Sequence, residues 1–221
     1  MTRSTLPSGR PVELAVPSDG RSPSRGLVLI PDIMGLRPLF DGHTARLADD
    51  NGWAVACVEP WAGHEELGLE ERLQSVGLID DGAFLADLVV AADQLSVEPV
   101  GVAGFCMGGM YALKAAGTGR FHGAVAFYGM FRVPPHWQGP TTLEPLDQLA
   151  RPDACPALAV IGSLDQWTPP DDVAAAEDAG VTVVRYEGAD HGFVHDDTRP
   201  GHRPDDAADA WRRAVAFLSA D

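Results

Sequence analysis

The sequence predicts an α/β fold, a doubly wound and mostly parallel sheet flanked by helices, formed by one domain over residues 1–221. Three observations carry this expectation. Short apolar runs alternate with helix-like segments. From Gly26 onward those runs are nearly continuous, as strands covered on both faces of a parallel sheet should be. No internal repeat and no linker-like stretch interrupts the alternation.

The candidate strands, in order, are Val12–Val16, Gly26–Pro31, Trp53–Val58, Val100–Phe105, Gly123–Phe127, Ala157–Ile161 and Val181–Tyr186. Each is rich in Val, Ile, Ala or Phe and ends at Gly, Pro or a polar cluster. The candidate helices are Leu39–Asn51, Gly82–Leu95, Met107–Ala116, Pro170–Ala179 and Pro204–Leu218. Two of them open on Pro, which suits a first helical turn. The stretch Phe131–Asp153 is rich in Pro, Gly and polar residues and too long for an ordinary connection, so it is expected to form a loop over the site.

The chain has 221 residues, 45% of them hydrophobic and 22% charged, enough for one full-sized core and unlike a disordered chain. Its formal net charge is -16. Such a surface repels nucleic acid and anionic membranes, so neither is an expected partner. The start, MTRSTLPSGR, is polar with no apolar stretch behind it, and no run is long enough to span a bilayer. A soluble, cytoplasmic protein is expected; its oligomeric state is left open. The three cysteines, Cys57, Cys106 and Cys155, have no disulfide or zinc spacing. Cys57 and Cys155 border apolar runs and read as packing.

Cys106 differs. It lies in Gly104-Phe105-Cys106-Met107-Gly108-Gly109, with the strand PVGVAGF running in and the helix MGGMYALKAA running out. This is a nucleophile-elbow pattern with Cys in place of Ser. The turn is so tight that the nucleophile takes a strained backbone, and the glycines keep side chains out of the strand–helix crossing. The helix N-terminus then stabilises a thiolate and the negative charge of an acyl-transfer intermediate. Two loops complete the pattern. Ile161-Gly162-Ser163-Leu164-Asp165 places an acid just after one strand, and Gly188-Ala189-Asp190-His191-Gly192-Phe193 places a histidine just after another. The order nucleophile, acid, histidine is the order of an α/β-hydrolase triad. Cys106, Asp165 and His191 are therefore the candidate catalytic residues. The backbone N–H groups of Met107 and of Ile33, in the loop after Gly26–Pro31, are the candidate oxyanion donors. No metal-ligating cluster is evident.

With these motifs and the loop Ile30-Pro31-Asp32-Ile33-Met34-Gly35-Leu36, the chain resembles the dienelactone hydrolase family of α/β-hydrolases, from about Gly26 to the C-terminus. The resemblance implies a cofactor-free hydrolase of small carboxylic esters or lactones, acting through a Cys–His–Asp triad and a thioester. It also implies that Asp32, where the family commonly has Glu, contacts the resting thiol. The family's substrate-binding arginines correspond to His195 and, in a poorly matched stretch, to Arg72. Because His195 carries no fixed charge, a preference for neutral substrates over carboxylates is expected. Trp61, Tyr128, Trp167 and Phe193 follow strand ends or border the triad and are further candidate substrate contacts. Two other readings stay open: a non-catalytic ligand-binding member of the same fold, and a thiol redox sensor acting through Cys106.

Overall fold

The computed structural model describes residues 1–220. The apolar runs form an eight-stranded sheet. Its strands are β1 (Thr2–Thr5), β2 (Pro11–Ala15), β3 (Arg25–Ile30), β4 (Trp53–Val58), β5 (Val100–Phe105), β6 (Ala124–Phe127), β7 (Ala157–Gly162) and β8 (Thr182–Tyr186). Across the sheet they run β1-β2-β4-β3-β5-β6-β7-β8. β1 pairs antiparallel with β2, β2 pairs antiparallel with β4, and every other pairing is parallel. In β4, β5 and β7 every residue is buried, which is why their sequences carry no polar alternation.

The helices are α1 (Pro38–Asn51), α2 (Leu69–Ser75), α3 (Asp81–Gln94), α4 (Met107–Ala116), α5 (Pro145–Leu149), α6 (Pro170–Asp178) and α7 (Pro204–Ser219). They cover both faces of the sheet. Phe40 and Leu47 of α1 and Ala210, Ala214 and Leu218 of α7 share one core cluster. Phe84 and Leu88 of α3, Met110 and Leu113 of α4 and Ala176 of α6 share the other. The α/β-hydrolase architecture expected from the sequence is therefore present.

The sequence reading missed β1, α2 and α5. All four residues of β1 are exposed, so no apolar pattern marks it. α2 has the polar sequence LEERLQS and buries only Arg72. α5 is five residues long. It lies in the segment expected to be a loop, which also holds a single 3-10 turn at Pro135–Trp137. No helix among the described residues is long and apolar enough to cross a membrane.

Candidate active site

The side chains singled out in the sequence converge at one edge of the sheet, just past the C-terminal ends of its parallel strands, where ligands bind in open α/β sheets. Asp32 and Ile33 follow β3, Cys106 follows β5, Tyr128 follows β6, Asp165 follows β7 and His191 follows β8.

Cys106 has φ 56° and ψ -119°, a conformation an L-residue rarely adopts. Such strain costs about 1–3 kcal/mol and persists only where the surroundings enforce it. Here they do. The Cys106 N–H donates to the Phe127 carbonyl (3.0 Å), and the Cys106 carbonyl accepts from the Met110 N–H (3.0 Å). A Cβ at Gly104 would overlap the Gly108 carbonyl, and one at Gly108 would overlap the Pro31 carbonyl. The elbow glycines thus allow α4 to start against β3 and β5, with Cys106 capping its N-terminus.

His191 Nδ1 lies 2.9 Å from Asp165 Oδ2, and Asp165 Oδ1 accepts the Trp167 N–H at 2.9 Å. The carboxylate fixes the ring orientation: Nδ1–H points to Asp165, and Nε2 faces Cys106. That Nε2 is buried without a hydrogen bond of regular geometry. Burial would lower the basicity of His191, but the Asp165 hydrogen bond and the Cys106 sulfur outweigh it and raise the imidazole to about 10. Neither the Ile33 nor the Met107 backbone N–H has a protein acceptor among the described residues. This arrangement sets a thiol, an imidazole oriented by a carboxylate, and two free backbone donors around one space.

Cys106 and His191 border a cavity of about 430 Å³, together with Ile33, Met34, Met130, Trp137 and Trp167. Trp167, expected to contact substrate, is in the wall, stacked on Trp137 with centroids 5.8 Å apart. Met130 and Trp137 come from the edge of the long segment 131–153 and its approach, so that segment covers the site in part. A second hollow of about 450 Å³ lies around Arg10, Trp61, Leu78 and Ile79 and is bordered by none of Cys106, His191 and Asp165. Neither Cys57 nor Cys155 borders the Cys106 cavity, so no resolving thiol stands beside it. No group of three or more His, Cys, Asp or Glu is placed to hold a metal among the described residues.

Several expected roles need correction. Asp32 borders the cavity but makes no hydrogen bond to the Cys106 thiol; its oxygens are taken by Arg37 (2.7 and 2.8 Å), His195 (2.8 Å) and the Met34 N–H (2.9 Å). Burial would raise its pKa, but His195 and Arg37 hold it well below the usual carboxylate range. His195 is not a substrate contact. It is 2% exposed, and both ring nitrogens are occupied, one by Asp32 and the other by the Tyr128 hydroxyl. Burial also lowers its basicity. Arg72 does not border the cavity: its guanidinium donates to the carbonyls of Leu67 (2.7 Å), Ile33 (3.2 Å) and Glu65 (2.5 Å). Trp61 borders the other hollow and donates its indole N–H to the Ile33 carbonyl at 2.7 Å. Tyr128 and Phe193 are fully buried and do not line the cavity.

The cations that do border the cavity, Arg37 and Arg199, were missed. Arg37 is engaged by Asp32, whereas Arg199 has no ion-pair partner among the described residues and stands over Gly192, beside His191. Arg199 lies in the run HDDTRP, which reads in sequence as solvated surface.

A family model described as the dienelactone hydrolase family matches residues 12–220. A Bradyrhizobium protein named "Probable 2-oxo-3-(5-oxofuran-2-ylidene)propanoate lactonase" is 29% identical over 216 residues, 90% of this chain and 84% of that one. Carboxymethylenebutenolidase 2 of Cupriavidus pinatubonensis is 30% identical over 204 residues, 86% and 79% of the two chains. A Klebsiella pneumoniae structure assigned as a dienelactone hydrolase superposes with a TM-score of 0.85 at 23% identity, covering 100% of this chain and 98% of that one. At that identity the likeness speaks for the fold.

Proposed function

The chain belongs to the dienelactone hydrolase family, and from that premise we propose that it opens a small carboxylate-bearing lactone through a thioester on Cys106. The observation that carries this reading is the strained elbow of Cys106 on the same cavity as the His191–Asp165 pair.

In this mechanism His191 Nε2 holds the proton of Cys106, and the Cys106 thiolate attacks the lactone carbonyl carbon. The carbonyl electron pair moves to oxygen, which accepts hydrogen bonds from the Ile33 and Met107 N–H groups. Collapse breaks the ring C–O bond, and His191 protonates the departing oxygen. That oxygen stays tethered to the acyl chain, now a thioester. Water then attacks the thioester with His191 as base. Collapse expels the Cys106 sulfur, and the hydroxy acid, or its keto tautomer, leaves. Asp165 stabilises the imidazolium in both halves.

Arg199 supports the anionic substrate class, since a carboxylate entering an apolar cavity needs a charged partner. The two relatives also carry names of lactones bearing an acid group. This replaces the preference for neutral substrates that His195 suggested. The test is kcat/KM on a matched pair, a lactone acid and its methyl ester. The wild type should favour the acid, and Arg199→Ala should lower kcat/KM for the acid by about tenfold or more while leaving the ester nearly unchanged. Cys106→Ala should abolish both. A wild type that prefers the ester would remove the anionic assignment, and hydrolysis surviving in Cys106→Ala would remove the thioester.

A further inference from the structure

The loop that carries the Ile33 N–H is braced from two sides, and one brace is a buried chain of hydrogen bonds with no assigned role. Asp32–Gly35 is a turn closed by the Gly35 N–H on the Asp32 carbonyl (3.0 Å). Within it, the Met34 N–H is held by Asp32 Oδ1 (2.9 Å). The Ile33 carbonyl is held by the Trp61 indole (2.7 Å) and by Arg72 (3.2 Å). The Ile33 N–H is left free.

The anchor of this turn is the Asp32 side chain, held by Arg37 from the cavity side (2.7 and 2.8 Å) and by His195 from the interior. The His195 imidazole lies between Phe105 (centroids 4.9 Å, interplanar 28°) and Phe40 (5.8 Å, 26°). Its backbone carbonyl accepts from His43 Nε2 at 2.6 Å. A carboxylate can only accept, so His195 Nε2 carries the proton toward Asp32 Oδ2 (2.8 Å), and Nδ1 accepts from the Tyr128 hydroxyl. Tyr128 is itself fixed: it is fully buried at φ 41°, and its N–H donates to the Val160 carbonyl at 2.7 Å. Every polar atom of this array is satisfied in a low-dielectric interior, the condition under which such networks become rigid.

We propose that His195, held between Tyr128 and Asp32, is a positioning residue that fixes the Ile33 N–H where the oxyanion forms. The proposal rests on the thioester reading above. None of the three side chains needs to touch the reacting atoms. A donor must be set in place before charge develops, since reorganisation during the reaction raises the barrier. The parallel to the catalytic array is close: an acid and a histidine in each, with Cys106 at the end of one and Tyr128 at the end of the other. The Tyr128 ring also stands edge-on to His191 at 5.0 Å, so the array could instead act through that histidine. The experiment separates the two routes.

Tyr128→Phe removes only the hydroxyl, and His195→Gln keeps a donor for Asp32 but loses the two-ended ring. Each is assayed for kcat and KM with p-nitrophenyl acetate, for the rate of Cys106 alkylation by iodoacetamide, and for its thermal melt. Alkylation develops no oxyanion, so it reports the thiol and His191 alone. Both variants should lose about tenfold or more in kcat, with KM and the alkylation rate held within about twofold. If His195→Gln does not fold, Tyr128→Phe decides alone. Unchanged kcat, or alkylation falling in parallel with kcat, overturns the proposal. If iodoacetamide modifies Cys106 of the wild type without stopping hydrolysis, the thioester reading fails first, and that result appears without any variant.

Discussion

His191 carries a pH signature that belongs to this one residue. Its imidazole is raised from an ordinary 6.5 to about 10, because the Asp165 hydrogen bond and the Cys106 sulfur outweigh the cost of burial. The folded protein therefore holds this proton more tightly than the unfolded chain does. Its contribution to stability is complete below about pH 6.5 and is lost as pH rises through about 10. Thermal melts of the wild type should fall across that window, and Asp165→Asn should flatten the fall. Equal slopes in the two proteins would detach His191 from Asp165 in solution. At this scale Cys106, Asp165 and His191 were legible because strained turns and loop placements leave sequence marks. The occupancy of ring nitrogens and guanidinium groups leaves none. His195 and Arg72 looked like free ligands in the sequence; packing had already spent their donors on Asp32 and on the carbonyls of Leu67, Ile33 and Glu65. Arg199 was hidden for the opposite reason, since a cation in an acidic surface run gives no sign that it borders a cavity.

Among the elements, α3, α4 and the segment that reaches over the cavity are joined by one buried charge cluster. Asp81 opens α3 and is 2% exposed; it accepts from the Tyr111 hydroxyl (2.6 Å), the Lys114 ammonium (2.7 Å) and the Leu143 N–H (2.7 Å). Lys114 is the only lysine of the chain, and burial lowers its pKa despite this partner. Removing one member of a buried pair strands the other. Asp81→Asn should therefore cost about 3–5 kcal/mol in denaturant unfolding. A loss below about 1 kcal/mol would mean that another acid, such as Glu144, takes over Lys114. The same segment shows where sequence reading of elements stops. Strands buried on both faces announce themselves as apolar runs, but α5 is held by contacts with α4, and Leu143 just before it by Asp81, both distant in sequence. β1 is ordered by pairing to β2 and by the Arg3–Glu13 ion pair (2.8 Å), again without an apolar pattern of its own.

Over the whole molecule, the strand order explains why residues from five separate loops meet. β3, β5, β6, β7 and β8 lie side by side and parallel, so the loops after them share one edge of the sheet. The parallel sheet was legible in the alternation of strands and helices, while the motifs around Asp32, Cys106, Asp165 and His191 carried the resemblance to the family. What the substrate meets in the cavity depended on side-chain packing and emerged only in three dimensions. The central claim is chemical: Cys106 takes the acyl group. It is tested most directly by the intact mass of the protein during turnover of a slowly hydrolysed p-nitrophenyl ester, followed by peptide mapping. The account predicts one acyl adduct, on the peptide containing Cys106, released by neutral hydroxylamine as a thioester is, and absent from Cys106→Ala. An adduct on another residue, or undiminished hydrolysis in Cys106→Ala, would contradict it.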